Sequence, residues 1–196
     1  MVHAVVPRVL PTRRLLLLGL ALAAARGAAA AAPAFTLRSR TLLHGVPPAQ
    51  RFDAAGCGGA NVSPELVWRG APPGTRSFAL TLFDRDARAG AGWWHWAVVD
   101  IPGAVSYLPL GAGTPDGTGL APGARQLRNS FGAQAYGGPC PPPGSGMHHY
   151  VFTLWALPLR RLPLPAGADA ATLAARAAAS ALATARLVVR YGRPGS

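Results

Sequence analysis

Acidic and histidine side chains flank three apolar runs of the sequence, each at the end of a predicted strand. They are Asp84 and Asp86 after the first run, His95 before the second, and His148 and His149 before the third. A histidine can donate hydrogen bonds and carry a positive charge near neutral pH, and a nearby Asp orients it and favours its charged form. Glycine-rich backbone, such as that of 137–146, can present amide groups to an anion. Together these residues predict a small polar pocket that captures a phosphate or carboxylate group.

Each of these residues also has a plainer interpretation. An Asp at the end of a strand often only begins a turn. A lone His between aromatic residues, as His95 is between Trp94 and Trp96, is more often a core residue than a ligand-binding one. A Pro-rich loop, taken alone, is only a rigid loop.

The sequence offers little support for catalysis or for metal binding. Around Ser145 it reads Pro-Gly-Ser-Gly-Met, which is not the Gly-x-Ser-x-Gly nucleophile elbow of hydrolases. Cys140 with His148 is the one thiol and imidazole pair worth naming, and the flanking prolines argue against it. The order Asp-x-Asp, His, His-His matches no established metal-ligand spacing, so we assign no metal site and no cofactor. We therefore predict a binding protein and not an enzyme; the alternative is a hydrolase that uses these Asp and His residues as acid and base on an ester or phosphoester.

Short β segments separated by Gly- and Pro-rich loops must position these side chains. Residues 35–42 alternate apolar and polar types, as in a half-buried strand, and three denser apolar runs are typical of central strands. Those runs are 77–83, 96–101 and 150–157. One helix is predicted over 168–185, which is almost free of helix breakers, and 186–191 returns to a β pattern. The predicted fold is mainly β: a two-sheet sandwich with one C-terminal helix and long Gly/Pro-rich loops that carry the site.

The first 32 residues have the pattern of an export signal. Arg8, Arg13 and Arg14 precede an uncharged run over 15–25, and small residues follow it. We predict a signal peptide over 1–32; Arg13-Arg14 matches a twin-arginine signal in part, so the export route stays open. The run is short for a bilayer span, which makes a retained transmembrane anchor the less favoured alternative. We expect one domain over 33–196, periplasmic or secreted, with no transmembrane segment in the mature chain.

Length and composition exclude several classes of protein. With 196 residues, 50% of them hydrophobic and 13% charged, the chain suffices for one packed core and is not intrinsically disordered. The net charge is +12, and removal of the predicted signal leaves 15 basic against 7 acidic residues, or +8. All 19 basic residues are Arg, however, and Ala is the commonest residue, a composition typical of GC-rich genomes. We therefore expect no nucleic-acid partner.

Two cysteines, Cys57 and Cys140, lie in the predicted mature chain. An even number in an oxidising compartment favours a disulfide, but a single pair has no spacing signature, so two free thiols or one buried thiol stay open. The sequence has no Cys-x-x-Cys motif and no zinc-type cluster.

Five short motifs occur in order along the chain. They are Gly58-Gly59-Ala60-Asn61-Val62-Ser63-Pro64-Glu65-Leu66-Val67-Trp68, Asp84-Arg85-Asp86-Ala87, Trp94-His95-Trp96, Gly138-Pro139-Cys140-Pro141-Pro142 and His148-His149-Tyr150. Each motif is weak alone, but five in order at this spacing are specific. Over 35–192 the chain resembles the phosphatidylethanolamine-binding proteins, also called Raf kinase inhibitor-like proteins, in their bacterial branch.

The resemblance implies a β-sandwich with a small anion pocket at one end. Carried over by motif position, the pocket comprises Asp84, Asp86, Trp93, His95, Pro142, His148 and Tyr150. The resemblance also implies that the loops beside Cys57 and Cys140 lie near the pocket, and from this we predict a disulfide between the two. Family members are known chiefly as binders and regulators, and inhibition of a protease or kinase also comes with the family. For an exported protein we expect a protease or another envelope protein as the protein partner.

Two departures from the family pattern bear on the ligand. The family usually has Asp-Pro-Asp-Ala-Pro where this chain has Asp84-Arg85-Asp86-Ala87-Arg88, and His-Arg-Tyr where it has His148-His149-Tyr150. The loss of both prolines predicts a looser loop, and Arg85 and Arg88 predict added positive charge at the pocket rim. We expect an exported module that binds a phosphate-bearing or other small anionic group, such as a phospholipid headgroup. Affinity should rise as the pH falls from about 8 to 6, with His95 and His148 as the donors.

Overall fold

The structure is a computed structural model that describes residues 1–3 and 33–195. Residues 4–32, which make up most of the predicted signal peptide, lie outside the described residues, so that segment stays a prediction. The described residues from 33 onward belong to one compact unit. Within the described ranges, no helix combines the length and the apolar character needed to cross a membrane.

Eight β-strands and one α-helix make up the regular structure of the described residues. The strands are β1 Thr36–Arg38, β2 Leu66–Arg69, β3 Ser77–Asp84, β4 Trp93–Pro102, β5 Tyr107–Leu108, β6 Arg125–Gln126, β7 His148–Leu157 and β8 Ala183–Tyr191; the helix is α1 Ala170–Ser180. Two short 3₁₀ helices occupy Pro48–Gln50 and Arg88–Gly90. All strand pairs are antiparallel, in a three-stranded sheet of order β1-β2-β5 and a five-stranded sheet of order β6-β4-β3-β7-β8.

The central strands β3, β4 and β7 of the five-stranded sheet are buried on both faces, which explains why they are almost continuously apolar. Phe78 of β3 packs edge-on against Trp68 of β2, with ring centroids 5.3 Å apart, and so joins the two sheets in one core. On the opposite face, Ala79 of β3 packs in a second cluster with Leu173 and Ala177 of α1. The predicted fold class is thereby confirmed: mainly β, with two packed sheets and one C-terminal helix.

The helix ends, and the strand after it begins, at earlier residues than the sequence predicts. Asp169 caps α1 by accepting a hydrogen bond from the Thr172 backbone N–H at 2.8 Å. The backbone becomes extended at Ala181, and the Leu182 N–H donates to the Ala156 carbonyl at 2.8 Å, so pairing with β7 begins there. Pairing at this sheet edge overrides the helix propensity of the Ala-rich segment.

The central strands also extend beyond their predicted bounds, and this extension places the polar residues. β4 begins at Trp93, so His95 is a buried residue inside the strand. The register aligns Asp84 with Trp93 on one side and with Tyr150 on the other. The ends of three neighbouring strands therefore coincide.

Candidate functional site

A cavity of about 470 Å³ opens where β3 ends and β4 and β7 begin; we call it the strand-end cavity. Three adjacent strands form its floor, and the loops 85–92 and 129–147 form its walls. The structure brings all seven residues predicted for the pocket to this cavity, namely Asp84, Asp86, Trp93, His95, Pro142, His148 and Tyr150. Arg88, which the sequence places at the pocket rim, also lines the cavity, whereas Arg85 does not. Ser145 and Phe131 line it too and were not among the predicted residues.

Asp84, His148 and Ser145 form a continuous hydrogen-bonded chain. Nδ1 of His148 lies 2.7 Å from Oδ2 of Asp84, and Nε2 of His148 lies 3.0 Å from Oγ of Ser145. The Ser145 hydroxyl lies 2.8 Å from the Pro142 carbonyl oxygen, to which it can donate its one hydrogen. The Asp84 carboxylate can only accept, so Nδ1 of His148 donates to it. The bond between Nε2 and the Ser145 hydroxyl can form in either direction, because each of the two groups can donate or accept.

Asp86 belongs to a separate and exposed ion pair. Its Oδ2 accepts hydrogen bonds from the backbone N–H of His149 at 2.6 Å and from the His149 ring at 2.9 Å, and Arg85 lies 3.9 Å away. Partial burial raises the pKa of Asp86, but the hydrogen bonds and charges of His149 and Arg85 outweigh that effect and lower the pKa below its ordinary value. Asp86 is therefore a carboxylate whose negative charge is already compensated.

The two carboxylates leave the strand through a turn. Oδ1 of Asp84 accepts the backbone N–H of Asp86 at 2.9 Å and of Ala87 at 3.2 Å. This is the turn-forming role that was the plainer interpretation of an Asp at a strand end. Asp84 thus combines both roles, since one oxygen holds the turn and the other holds His148.

His95 differs from the expectation that it donates to an anion as a cation. Its Nδ1–H donates to the Gly137 carbonyl at 2.7 Å, and the ring packs edge-on against Phe131 and Tyr150. Burial lowers the pKa of His95 to about 4, and the hydrogen bond to Gly137 and the charge of Asp84 offset this only in part. His95 is therefore neutral between pH 8 and 6, and its predicted contribution to a pH-dependent affinity in that range is wrong. Its free nitrogen, Nε2, can only accept a hydrogen bond.

The Tyr150 hydroxyl is a buried donor without an acceptor. Its side chain is fully buried, and its hydroxyl makes no hydrogen bond of good geometry with any described residue. Burial raises the pKa of Tyr150 above its ordinary value, and the charge of Asp84 and a poorly aligned contact with its carboxylate act in the same direction, so the phenol keeps its hydrogen. An unsatisfied buried donor costs about 1–3 kcal/mol. The hydroxyl is closed to water in this conformation, so a ligand oxygen would remove that cost once the side chains above it are displaced.

Aromatic side chains and one arginine make the outer wall of the strand-end cavity. Phe131 contacts Trp93 edge-on at 5.3 Å and stacks on Phe52 at 4.6 Å. The guanidinium carbon of Arg88 lies 4.3 Å from the centroid of the Trp93 ring, a cation–π arrangement. This part of the wall is therefore apolar except for the charge that Arg88 brings.

Cys57 and Cys140 are joined in a disulfide, with their Cα atoms 5.7 Å apart. Cys140 lines the strand-end cavity, so the bond ties one cavity wall to the loop that contains Cys57. Arg193 donates to the Gly56 carbonyl at 2.8 Å and lies 3.3 Å from Sγ of Cys57. In this state Cys140 has no thiol to pair with His148.

Two further features of the described residues bear on the choice of site. No group of three or more His, Cys, Asp and Glu side chains within 1–3 and 33–195 is arranged to hold a metal ion. A second cavity, of about 770 Å³, lies on the outer face of the small sheet among Arg38, Arg69 and Glu65. The Glu65 carboxylate there accepts the backbone N–H of Thr41 at 3.1 Å and so serves the neighbouring turn. Within the part of the chain that the structure describes, the strand-end cavity is the one of these two that buried Asp and His side chains line.

A sequence model described as "Phosphatidylethanolamine-binding protein" matches residues 44–192 of the chain. The chain belongs to this family. The resemblance inferred from the five motifs is therefore confirmed, and the strand-end cavity of this phosphatidylethanolamine-binding protein family member lies among those motifs.

Relatives from several bacteria are similar over most of this family member. The UPF0098 protein YbcL of Escherichia coli K12 is 44% identical over 164 residues, which are 83% of this chain and 90% of YbcL. YbhB of the same organism is 37% identical over 146 residues, or 74% of this chain and 91% of YbhB. LppC of Mycobacterium tuberculosis H37Rv, which is named as a candidate lipoprotein, is 42% identical over 161 residues, or 82% of this chain and 73% of LppC.

Two solved structures share the fold of this family member. The crystal structure of E. coli YbcL, described as a new member of the mammalian family, superposes with a TM-score of 0.77 at 43% identity and covers 81% of this chain and 98% of that one. The homologue CT736 of Chlamydia trachomatis superposes with a TM-score of 0.65 at 28% identity and covers 82% of this chain and 98% of that one.

Proposed function

We propose that this chain is an exported binding protein that captures a phosphate-bearing or other small anionic group in the strand-end cavity without turning it over. The observation that carries the proposal is the buried Tyr150 hydroxyl, a donor that lacks an acceptor in the floor of the cavity. An anionic oxygen can accept a hydrogen bond from this hydroxyl, and the negative charge of the oxygen makes that bond stronger.

The hydrogen bonds of His148 favour the same class of ligand. The Asp84 carboxylate accepts from Nδ1 and so directs Nε2 of His148 at Ser145. Ser145 is exposed, so a ligand oxygen can replace its hydroxyl as the hydrogen-bond partner of Nε2. The displaced hydroxyl is then free to donate to the ligand. The family is named for binding phosphatidylethanolamine, so the phosphate of a lipid headgroup is one source of such an anion.

A calorimetric titration of dimethyl phosphate, a monoanionic diester, tests the proposal. Dimethyl phosphate should bind the wild type in a 1:1 ratio, and His148→Gln should weaken binding at least tenfold because one charged donor is worth about 1.5–3 kcal/mol. Arg160→Ala removes an exposed charge outside the cavity and should change affinity less than twofold at moderate salt. Equal losses in the two variants would mean that the basic surface, and not the cavity, holds the anion.

One observation favours a second candidate function, the hydrolase alternative. Oγ of Ser145, the His148 ring and the Asp84 carboxylate follow one another at 3.0 Å and 2.7 Å, the order of hydroxyl, imidazole and carboxylate used by serine hydrolases. This serine lies outside a nucleophile elbow, because Ser145 and His148 are only three positions apart and meet across one turn. We place this candidate second because the Pro142 carbonyl, 2.8 Å from Oγ, competes with Nε2 for the one hydrogen of the Ser145 hydroxyl.

A panel of aryl esters and aryl phosphoesters separates the two candidates. The binding proposal expects no turnover above the rate in buffer, with or without added divalent metal. Turnover by the wild type that is lost in Ser145→Ala, with the fold of the variant verified by circular dichroism, would establish the hydrolase in its place.

Export and an envelope partner complete the proposal. The predicted signal over 1–32, the disulfide and the lipoprotein name of LppC support an envelope location. The bound group would then serve to regulate or inhibit an envelope protein such as a protease. Protein recovered from the native host should begin between about residues 28 and 35, as N-terminal sequencing would establish. An intact Met1 on cytoplasmic protein would contradict export.

A further inference from the structure

The charged groups that line the strand-end cavity are compensated, with one exception. Asp84 is paired with His148, and Asp86 with His149 and Arg85. His95 is neutral because burial lowers its pKa. Among the described residues, Arg88 lines the cavity and has no carboxylate within 4 Å of its guanidinium. Arg88 therefore contributes the uncompensated charge of the cavity wall.

The backbone holds Arg88 in place over Trp93. Arg88 and Ala89 both adopt the left-handed region, with φ of 51° and 54°, in a turn whose ends are joined by hydrogen bonds of 3.0 Å from the N–H groups of Gly90 and Gly92 to the Ala87 carbonyl. Gly92 is required here because a Cβ at this position would come within 1.9 Å of the Phe83 ring. The turn presents the guanidinium to the ring at 4.3 Å.

An aromatic face in a binding cavity is the place where the ammonium of a ligand would bind. In this cavity the protein's own cation already lies on the Trp93 ring, while Phe131 contacts the ring edge-on. A ligand ammonium that entered would meet a like charge and would have to displace Arg88 from the ring. A phosphate oxygen would instead gain a charge-assisted hydrogen bond from the same guanidinium.

We infer that Arg88 makes the strand-end cavity selective for phosphate esters that carry no cationic group, and that it disfavours zwitterionic headgroups such as phosphoethanolamine. This inference rests on the proposed function, because it assumes that a phosphate binds in the cavity. The ligand class is thus a phosphate ester with a neutral or anionic substituent.

Two phosphate esters of nearly equal shape test this selectivity. 2-Aminoethyl phosphate and n-propyl phosphate differ in the replacement of a terminal ammonium by a methyl group, and at pH 8 the phosphate of each is doubly charged. Calorimetric titration of the wild type should give at least tenfold tighter binding of n-propyl phosphate.

Arg88→Gln should reduce this preference to less than twofold, because n-propyl phosphate loses a charged donor and 2-aminoethyl phosphate gains access to Trp93. Arg160→Gln is the control, since it removes the same charge at an exposed residue that neither lines the cavity nor pairs with a residue that does; it should keep the wild-type preference.

The outcomes distinguish the inference from the proposed function. If both esters bind the wild type equally, or if Arg88→Gln keeps the preference, the inference on Arg88 is wrong while anion binding stands. If neither ester binds and dimethyl phosphate also fails to bind, the proposed function is wrong, and the inference falls with it.

Discussion

Nδ1 of His148 lies 2.7 Å from Oδ2 of Asp84, and both side chains are buried. The other carboxylate oxygen, Oδ1, accepts the backbone N–H groups of Asp86 and Ala87. One carboxylate therefore fixes a histidine at the start of β7 and the turn at the end of β3. This links the stability of the fold to the charge of the cavity.

Asp84→Asn should lower both the stability of the fold and the affinity of the cavity for an anion. The amide oxygen of Asn can still hold the turn, but its NH₂ group faces His148, and the ring loses the carboxylate that favours its charge. We expect the free energy of unfolding in urea to fall by about 2 kcal/mol and the affinity for dimethyl phosphate to fall about tenfold. Asp53→Asn, at an exposed residue outside the cavity, should leave both values unchanged. A stable Asp84→Asn variant with wild-type affinity would show that the pair has neither role.

Tyr150 and Tyr136 form a matched pair of buried phenols. Tyr136 donates to the Gln50 carbonyl at 2.8 Å, whereas Tyr150 has no acceptor among the described residues. Tyr136→Phe should therefore lower the free energy of unfolding by about 1–2 kcal/mol and leave anion affinity unchanged. Tyr150→Phe should cost no stability and should weaken dimethyl phosphate binding several-fold. The reverse pattern would mean that the Tyr150 hydroxyl serves the fold and not the ligand.

The low pKa of His95 makes the stability of the fold depend on pH. Burial lowers this pKa from its ordinary value of 6.5 to about 4, so between these values the unfolded chain binds more protons than the folded protein. The stability that neutral His95 provides is complete above about pH 6.5 and is lost as the pH falls towards 4, a total of about 3 kcal/mol.

Urea unfolding at pH 7.5, 5.5 and 4.5 measures this effect. His95→Gln should flatten the pH dependence, while His44→Gln, which changes an exposed histidine, should keep it. In NMR spectra the ring signals of His95 should stay constant from pH 8 to 5. A titration of His95 centred near pH 6.5 would contradict the effect of burial.

Removal of the disulfide should destabilise the protein strongly. The bond joins residues 83 positions apart, and in the chain-entropy model a loop of this size is worth about 4 kcal/mol. Urea unfolding of the Cys57→Ser/Cys140→Ser double variant should show a loss of that order, and dimethyl phosphate should bind more weakly because Cys140 lies in the cavity wall. Thiol titration of the unfolded, unreduced wild type should detect no thiol; two per chain would rule out the bond.

The sequence contains the information that determines the central strands and the floor of the cavity. Apolar runs rich in aromatic residues predicted β3, β4 and β7. Because these neighbouring strands are antiparallel, the end of β3 lies beside the starts of β4 and β7, and the polar residues there are neighbours. The strands β5 and β6 have only two residues each, so they carry no periodic signal. The end of α1 was missed because an Ala-rich segment has the same local preference on both sides of the point where pairing with β7 begins.

The wall of the cavity could not be predicted in the same way. Ser145 contacts His148 through a turn between Gly144 and Gly146, both at positive φ, and no spacing rule describes that contact. Arg88 reaches Trp93 because of a left-handed backbone that is unusual for an arginine. His95 is neutral because it is buried inside β4, and the motif Trp94-His95-Trp96 does not reveal how deeply the ring is buried.

The alignment of Asp84 with Trp93 and Tyr150 has a consequence for how this protein can change. The floor of the cavity is made by paired backbone within the sheet, whereas Arg88 and Ser145 stand on exposed loops that contribute little to the core. Loops of this kind can be exchanged between relatives at modest cost in stability, because the strands that support them are fixed by their own pairing. Grafting 85–92 from another family member should transfer its preference for the substituent on the phosphate and leave the scaffold intact, so that this preference can evolve while the anion-binding floor, which is tied to the stability of the fold, is kept.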